Sequence, residues 1–214
     1  MYEYRIDIQI SGGTETLLAD QIFSCNIKRS LFEDFGIGNA CSSEMNCELL
    51  NPTDPVKGGM VRPYIREVGS STWTPKGIFY IYEREWDDSK TTLRLHCFDA
   101  MIKAETEFFT SGSIGTWPRL MSTVASQVAS IMGASIDSRT SFNGSYYTQY
   151  QSNDITCREL LAEIAAAHGG NWMMTDEGKL LLVPLFSIPT ETYYIVDEDG
   201  NPLVFGTDTR ILWK

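Results

Sequence analysis

Four acidic side chains close together are the residues of this sequence that could most directly do chemistry. Glu83, Glu85, Asp87 and Asp88 lie within one six-residue stretch. A pair of carboxyl groups can serve as acid and nucleophile, or as acid and base, in glycoside hydrolysis. The same residues suit the exposed tip of a hairpin on a chain whose formal charge is −11. The acidic composition favours this second interpretation.

Histidine could supply a catalytic base or a metal ligand, and the chain has two, His96 and His168. His96 occupies the polar phase of a predicted strand, so we expect it to face outward. His168 ends a predicted helix, where an imidazole interacts favourably with the terminal carbonyl groups. The sequence contains neither Gly-x-Ser-x-Gly nor Cys-x-x-Cys, which would mark a serine nucleophile or a zinc site. Both histidines are therefore interpreted as structural.

The cysteines are five in number, and an odd count without a signal peptide predicts reduced thiols. Cys25, Cys47 and Cys97 each lie at an apolar position of an alternating run. Cysteine behaves as a small hydrophobic side chain in such places. We expect these three to be buried.

Two other motifs suggest ligands without completing the pattern. Gly36 and Gly38 open a dinucleotide fingerprint in which Cys41 replaces the third glycine, and a strand follows where a helix is required. This segment predicts a loop that needs positive φ. In the region 197–208 three residues match a calcium loop, but Pro202 stands where that loop needs glycine. A hairpin turn accounts for this region.

Aromatic residues on the predicted strands offer a further possibility, a carbohydrate-binding or adhesion module. The candidates are Trp73, Tyr80, Tyr82 and Trp86. Their spacing along the strands favours membership of a core for at least half of them.

The elements that must position these residues begin with strands. Residues 2–10 alternate strictly between apolar and polar side chains, which places one face on a core and the other in solvent. Alternation at 23–27 and 45–49, and turn residues at 69–72 and 87–90, predict about six strands in all. Short turns between them favour a small antiparallel barrel or sandwich.

The pattern then changes to helical spacing. Asp99 can cap a short helix that runs toward Phe108. After a linker at 110–115, Pro118 suits the opening of a second helix, which Gly133 ends.

The third helix has the clearest signature. Thr156 and Glu159 form a capping box, and Ile155 with Leu160 fits the accompanying hydrophobic staple. The helix ends at Gly169–Gly170, and hairpins follow to the end of the chain.

This order predicts the α+β class, with strands and helices segregated along the chain. We expect an N-terminal small antiparallel β-barrel at 1–98 and a helical segment at 99–170. Hairpins at 171–214 would complete a second, smaller barrel-like domain.

Length, composition and charge exclude several functions. The 214 residues are 43% hydrophobic and 21% charged, which suits packed domains. The net negative charge argues against a binder of nucleic-acid phosphates or of an anionic membrane surface. The sequence has no apolar stretch of the roughly 18–20 residues that a membrane span requires.

Seven short segments resemble those of one protein family, among them Val-Arg-Pro-Tyr-Ile-Arg and Gly-Gly-Asn-Trp. They lie at 37–44, 61–66, 75–81, 96–105, 158–161, 169–172 and 178–185. The chain resembles the hub proteins of the tail or baseplate of tailed phages, prophages and related contractile injection machines.

The resemblance implies a virion tail protein that assembles in the host cytoplasm. Family members form trimers at the tip of the tail tube, each subunit contributing two barrel-like domains. One side of the ring contacts the tube or a distal tail protein. The other side contacts a spike, fibre or lysin component.

We therefore expect a structural hub protein that acts by self-assembly, with no catalytic residue, cofactor or metal. The alternatives are the hub-proximal part of a peptidoglycan hydrolase and the carbohydrate-binding module named above.

Overall fold

The computed structural model describes residues 1–31, 36–109, 117–149 and 154–185, and the backbone of 204–205 and 209–210. Within these ranges the chain forms one large antiparallel sheet, two α-helices and three two-stranded sheets. The predicted linker at 110–115 and the predicted turn around 197–202 lie outside the described residues.

The large sheet holds all the strands of the N-terminal part. They are β1 (Tyr2–Ile10), β2 (Gly13–Leu18), β3 (Ile22–Lys28), β4 (Glu44–Leu50), β5 (Met60–Glu67), β6 (Thr74–Pro75), β7 (Phe79–Trp86) and β8 (Thr92–Asp99). Seven strands follow the order β2-β1-β5-β7-β8-β4-β3, and β6 pairs with β5. Every pairing is antiparallel, as the sequence predicted.

The sheet supplies its own core. The buried side chains of one face, such as Ile8, Leu49 and Leu93, form a cluster to which only strands of this sheet contribute. A flat sheet cannot bury one face against itself, so the sheet curls around these residues as a half-barrel. The predicted alternation in β1 is confirmed at Ile6 and Ile8, which are buried.

Two α-helices, a 3₁₀ helix and six short strands complete the described fold. Asp99 caps a 3₁₀ helix at Ala100–Glu105, its side chain accepting a hydrogen bond from the Met101 N–H. The remaining elements are β9 (Arg119–Leu120), α1 (Met121–Met132), β10 (Tyr147–Thr148), α2 (Cys157–Ala167), β11 (Gly170–Met174), β12 (Leu180–Pro184), β13 (Val204–Phe205) and β14 (Thr209–Arg210).

The helix ends follow local signals with one exception. The capping box at α2 is present, since Thr156 Oγ1 accepts from Glu159 N and the Glu159 carboxylate accepts from Thr156 N. Gly133 ends α1 in a left-handed conformation with φ 72°. The predicted opening of α1 at Pro118 is wrong: Arg119 and Leu120 pair with β10 first, and this short ladder delays the helix.

A second buried cluster joins the helices to β11 and β12. Its largest members include Trp172, Phe108 and Leu160, and it also contains Ala40 from the connection between β3 and β4. The chain is thus rich in β-structure, with few helices. The domain boundaries and the second barrel-like domain expected from the sequence remain predictions.

Candidate assembly surface

The two edge strands of the half-barrel lie next to each other along the chain. β2 and β3 stand at opposite ends of the strand order, yet a single 3₁₀ turn at Ala19–Gln21 connects them. The curl of the sheet therefore brings its two ends together without pairing them within the described residues. An unpaired strand edge exposes N–H and C=O groups to any chain that can pair with it.

Apolar side chains are exposed where the half-barrel stays open. Phe23 is 71% exposed, Tyr2 53% and Tyr4 51%, and Cys25 is also exposed. We call these four residues the seam. Tyr2 and Tyr4 lie beyond the end of β2, whose pairing with β1 stops at Arg5, so no strand of the described residues covers them on that side.

A cavity of about 330 Å³ lies at the seam. Tyr4 and Ile6 of β1, Phe23 and Cys25 of β3, and Pro63 of β5 contribute to its lining. A concave, partly apolar surface beside unpaired strand edges suits contact with another polypeptide better than it suits catalysis.

The predicted burial of the three strand cysteines is confirmed for two of them. Cys47 and Cys97 are buried at 4% and 0% exposure, as expected. Cys25 is exposed, although it faces the same side of the sheet as Cys47, its cross-strand neighbour. The correction follows from the edge position of β3, since the part of the chain that the structure describes places no strand beyond it.

The outer face of the sheet carries paired charges. Arg94 Nε donates to Glu48 Oε1 at 3.2 Å, and His96 Nε2 lies 3.0 Å from Glu44 Oε1. A hydrogen bond from Asn46 and the proximity of His96 lower the pKa of Glu44. Opposite charges on neighbouring strands stabilise the sheet modestly.

The acidic residues considered for hydrolysis have different surroundings. Glu83 stands opposite His96 and Glu85 opposite Arg94 in the β7–β8 ladder. Asp87 instead organises the turn, because its carboxylate accepts from Thr91 N and Thr92 N. Hydrogen bonds, first from the Ser89 hydroxyl and then from the Thr92 N–H, lower the pKa of Asp87 to about 2.

The histidines hold structural positions in these surroundings. His96 is partly exposed and lies between two carboxylates, with Glu83 Oε2 at 3.9 Å from Nδ1. His168 caps α2, its Nδ1 lying 2.8 Å from the Ile164 carbonyl oxygen. Its Nε2 accepts from the Asn143 N–H.

The aromatic candidates for glycan binding do not form one platform. Trp73 packs against the guanidinium groups of Arg5 and Arg66, at 5.2 and 4.4 Å from the ring centre. Lys103 Nζ lies over the Tyr80 ring at 3.5 Å. Trp86 packs partly against the core of the half-barrel.

The glycine loop at 36–41 performs a packing role. Gly38 has φ 86°, as the sequence predicted for this loop, and its N–H donates to the Gly170 carbonyl. Asn171 Oδ1 accepts from Asn39 N at 2.8 Å. Two of the segments that carried the family resemblance therefore meet in space.

Arg158 is a junction residue that sequence reasoning did not single out. Its guanidinium donates to the carbonyl oxygens of Ala40 and Met101 and to Ser42 Oγ, and pairs with Glu105. Beside it Asp99 is 3% exposed, and burial raises the pKa of its carboxyl group. A lone arginine on a helix gives no sequence signal for partners so distant along the chain.

The described ranges contain neither a cluster of metal ligands nor a membrane-spanning helix. His, Cys, Asp and Glu side chains do not gather there in groups of three that could hold a metal ion. The helices found in those ranges are too short or too polar to cross a membrane.

Comparison with solved structures finds tail proteins, one of them from a prophage. The 43 kDa tail protein of prophage MuSo2 from Shewanella oneidensis superposes with a TM-score of 0.58 at 14% identity, covering 91% of this chain. A tail protein from Neisseria meningitidis MC58 gives 0.54 at 12% identity and covers 96%. This chain thus has the fold of part of these tail proteins.

The match leaves a large part of both tail proteins uncovered. This chain spans 59% of the Shewanella protein and 56% of the Neisseria protein. No protein-family model and no curated protein sequence matches the chain.

Proposed function

We propose that this chain is a structural component of a phage or prophage tail. The observation that carries the proposal is the shared fold, which extends over more than nine tenths of this chain in both tail proteins. The proposed location is the virion tail, reached after assembly in the host cytoplasm.

Within the tail, the proposed place is the hub or baseplate at the tip of the tube. The partners there would be copies of this chain in a trimer, a tube or distal tail protein, and a spike, fibre or lysin component. The seam supports this proposal, because a ring of identical subunits brings one surface of each copy against a different surface of the next. Such contacts cover exposed aromatic side chains and unpaired strand edges.

The proposed hub acts by assembly and not by turnover. Glu83 and Glu85 each face a nitrogen-bearing side chain across the strand ladder, which gives both carboxylates a role in the sheet. This arrangement supports a structural interpretation of the pair over a hydrolytic one.

The assembly state of the purified chain tests the proposal. We expect native mass spectrometry to detect a species of three times the 24.1 kDa chain mass, either alone or after addition of the tail partner. The variant Phe23→Ser should shift the population toward monomer, since it removes the most exposed aromatic side chain of the seam.

The matched control is Tyr147→Ser, which removes a ring that is 50% exposed on β10 and should leave assembly unchanged. A chain that stays monomeric with every tail component would contradict the hub proposal. An oligomer that is insensitive to Phe23→Ser would keep the tail role but exclude the seam as its interface.

Zymography on peptidoglycan tests the absence of turnover. We expect no clearing from the wild-type chain. Clearing that disappears in Glu83→Gln or Glu85→Gln would establish a hydrolase and overturn the structural assignment.

A further inference from the structure

The pairing of β3 with β4 places two cysteines directly opposite each other. Cys25 and Cys47 are Cα partners in this antiparallel ladder, so their side chains lie on the same face of the sheet. Directly opposed residues have Cα atoms about 4.5 or 5.5 Å apart, depending on their position in the hydrogen-bond pattern. Both separations fall within the roughly 4.4–6.8 Å that a disulfide bond spans.

The neighbouring cysteine is less well placed. Cys97 stands opposite Met45, so it is the diagonal neighbour of Cys47. Diagonal neighbours are about 7–8 Å apart, beyond the ordinary disulfide range. Cys25 and Cys97 lie on either side of β4 and are separated by two strand spacings, each about 4.8 Å.

The pair also differs in access to solvent. Cys25 is exposed at the seam and lines its cavity, whereas Cys47 is buried at 4% exposure. An exposed thiol can react with an oxidant in solution and form a mixed disulfide. A buried thiol beside it can then displace the oxidant-derived thiolate from that mixed disulfide. This is the arrangement of an attacking and a resolving cysteine.

We propose that Cys25 and Cys47 are an oxidation site that closes to a disulfide with a small-molecule disulfide as oxidant. The Cys25 thiolate attacks one sulfur of the oxidant, forming a mixed disulfide and releasing one thiolate. The Cys47 thiolate then attacks the Cys25 sulfur of this mixed disulfide and releases the second thiolate of the oxidant. Two protein S–H bonds are lost, one S–S bond forms, and the small disulfide is reduced to two thiols.

Closure would join the edge strand of the seam covalently to the next strand. β3 pairs through one side only within the described residues, so it lacks the second set of strand hydrogen bonds that protects an interior strand from fraying. The disulfide would restrain it and raise the thermal midpoint of unfolding. The inference applies to the unassembled chain, in which Cys25 is exposed, and it rests on the strand register and not on the proposed tail function.

Partial desolvation raises the pKa of the Cys25 thiol to about 11. Since the thiolate is the reactive form, the reaction should be slow at neutral pH and faster in alkaline solution. This pH dependence provides a second readout beside the product itself.

Incubation of the 214-residue chain with oxidised glutathione tests the proposal. Peptide mapping by mass spectrometry should find a Cys25–Cys47 cross-link, with loss of two hydrogen atoms, and reduction should reverse it. The cross-link should be absent in Cys25→Ser and retained in Cys157→Ser, a cysteine of α2 that serves as the matched control.

Three results would overturn the proposal. These are a Cys25–glutathione adduct that never resolves, a Cys25–Cys25 link between two chains, and a Cys47–Cys97 link. Because Cys47→Ser could disturb the core, the conservative variant Cys47→Ala should be used, and it should trap the glutathione adduct on Cys25. A folded chain that gives neither adduct nor cross-link in alkaline solution would also contradict the inference.

Discussion

Gly38 lies in the connection before β4, packed against helix α2. A Cβ atom at this position would lie 3.2 Å from the carbonyl oxygen of Ala162 and from Ala166 Cβ, and φ is 86°. Gly38→Ala therefore combines an unfavourable backbone conformation with a steric contact against a helix. Equilibrium unfolding in urea should show a loss of stability.

The backbone cost and the steric cost of Gly38→Ala can be separated by comparison with a second glycine of positive φ. Gly12 has φ 91°, but a Cβ there would have no atom within 4 Å. Gly12→Ala should therefore cost only the backbone term, about 1–3 kcal/mol. Gly38→Ala should exceed it by about 1–3 kcal/mol of steric cost. Equal losses of unfolding free energy in the two variants would show that α2 shifts enough to accommodate the added methyl group.

Asp87 is expected to make the tip of the β7–β8 hairpin sensitive to acid. Its ordinary pKa of 3.8 falls to about 2 in the folded chain, chiefly because the Ser89 hydroxyl and the Thr92 N–H donate to the carboxylate. A lowered folded pKa means that the stabilisation is present above about pH 4. It is lost as the pH falls through the interval from about 4 to 2.

Carbon-13 NMR of the aspartate side chains measures this titration directly. We expect the Asp87 carboxyl carbon to change with a midpoint near 2. In Asp87→Asn the turn should lose its response to pH over this interval, since the amide retains an acceptor oxygen that does not titrate there. A midpoint near 3.8 for Asp87 would show that the turn hydrogen bonds are not maintained in solution.

Helix α2 depends on its N-terminal cap, which is a property of the element. Thr156 Oγ1 accepts from Glu159 N, and the Glu159 carboxylate accepts from Thr156 N at 2.7 Å. Thr156→Ala removes one of these bonds and leaves a first-turn N–H without its acceptor. We expect a loss of about 1 kcal/mol in the free energy of unfolding, measured by denaturant titration.

Ser126→Ala provides the comparison in the other helix. The Ser126 hydroxyl donates to the Ser122 carbonyl on the exposed side of α1, so its removal leaves no helix-end group unsatisfied. The change in stability should stay within about 0.5 kcal/mol. Equal effects from the two variants would argue against a capping contribution at Thr156.

Elements whose sequence signals lie within a few residues of each other could be predicted. Features that depend on contacts with residues far along the chain could not. The capping box involves residues three apart, and the alternation in β1 reports which side chains share a face. Alternation does not report whether another strand covers that face. Phe23 and Cys25 follow the apolar phase of β3 but remain exposed. β3 is an edge strand, and the register of its pairing with β4 shifts at Phe23, between Ile22 and Ser24. The start of α1 was misplaced for a similar reason, since β10 lies far downstream of Pro118.

At the scale of the whole molecule, the two buried clusters are joined by contacts that no local pattern encodes. Asn39 and Asn171 are 132 residues apart in sequence and hydrogen-bonded in the structure. Arg158 bonds to Ala40 and Ser42 across a similar separation. The family resemblance marked these segments without indicating that they touch. The candidate seam was likewise beyond prediction, because it arises from the curl that brings β2 and β3 together.

Asn171 is the residue through which this long-range connection can be weakened. Its side chain is fully buried, and it accepts from Asn39 N and donates to the Gly36 carbonyl. Asn171→Ala removes the side-chain acceptor of the Asn39 N–H and one of the two side-chain donors to the Gly36 carbonyl, the other being Asn39 Nδ2, at an expected cost of about 1–3 kcal/mol. The contact between the 36–41 loop and β11 is the junction. The backbone amides of Gly38 and Trp172, which donate hydrogen bonds across this junction, should exchange hydrogen faster.

The spatial distribution of this faster exchange distinguishes a loosened junction from general destabilisation. Amides of β7 and β8, which lie in the half-barrel, should retain their protection if the loss is confined to the junction. Asn46→Ala serves as the control, because Asn46 is exposed and its amide bonds to Glu44 on the outer face. It should change stability by less than about 0.5 kcal/mol. If Asn171→Ala weakens protection equally in both clusters, they unfold as one cooperative unit, and the junction is not a separate point of opening.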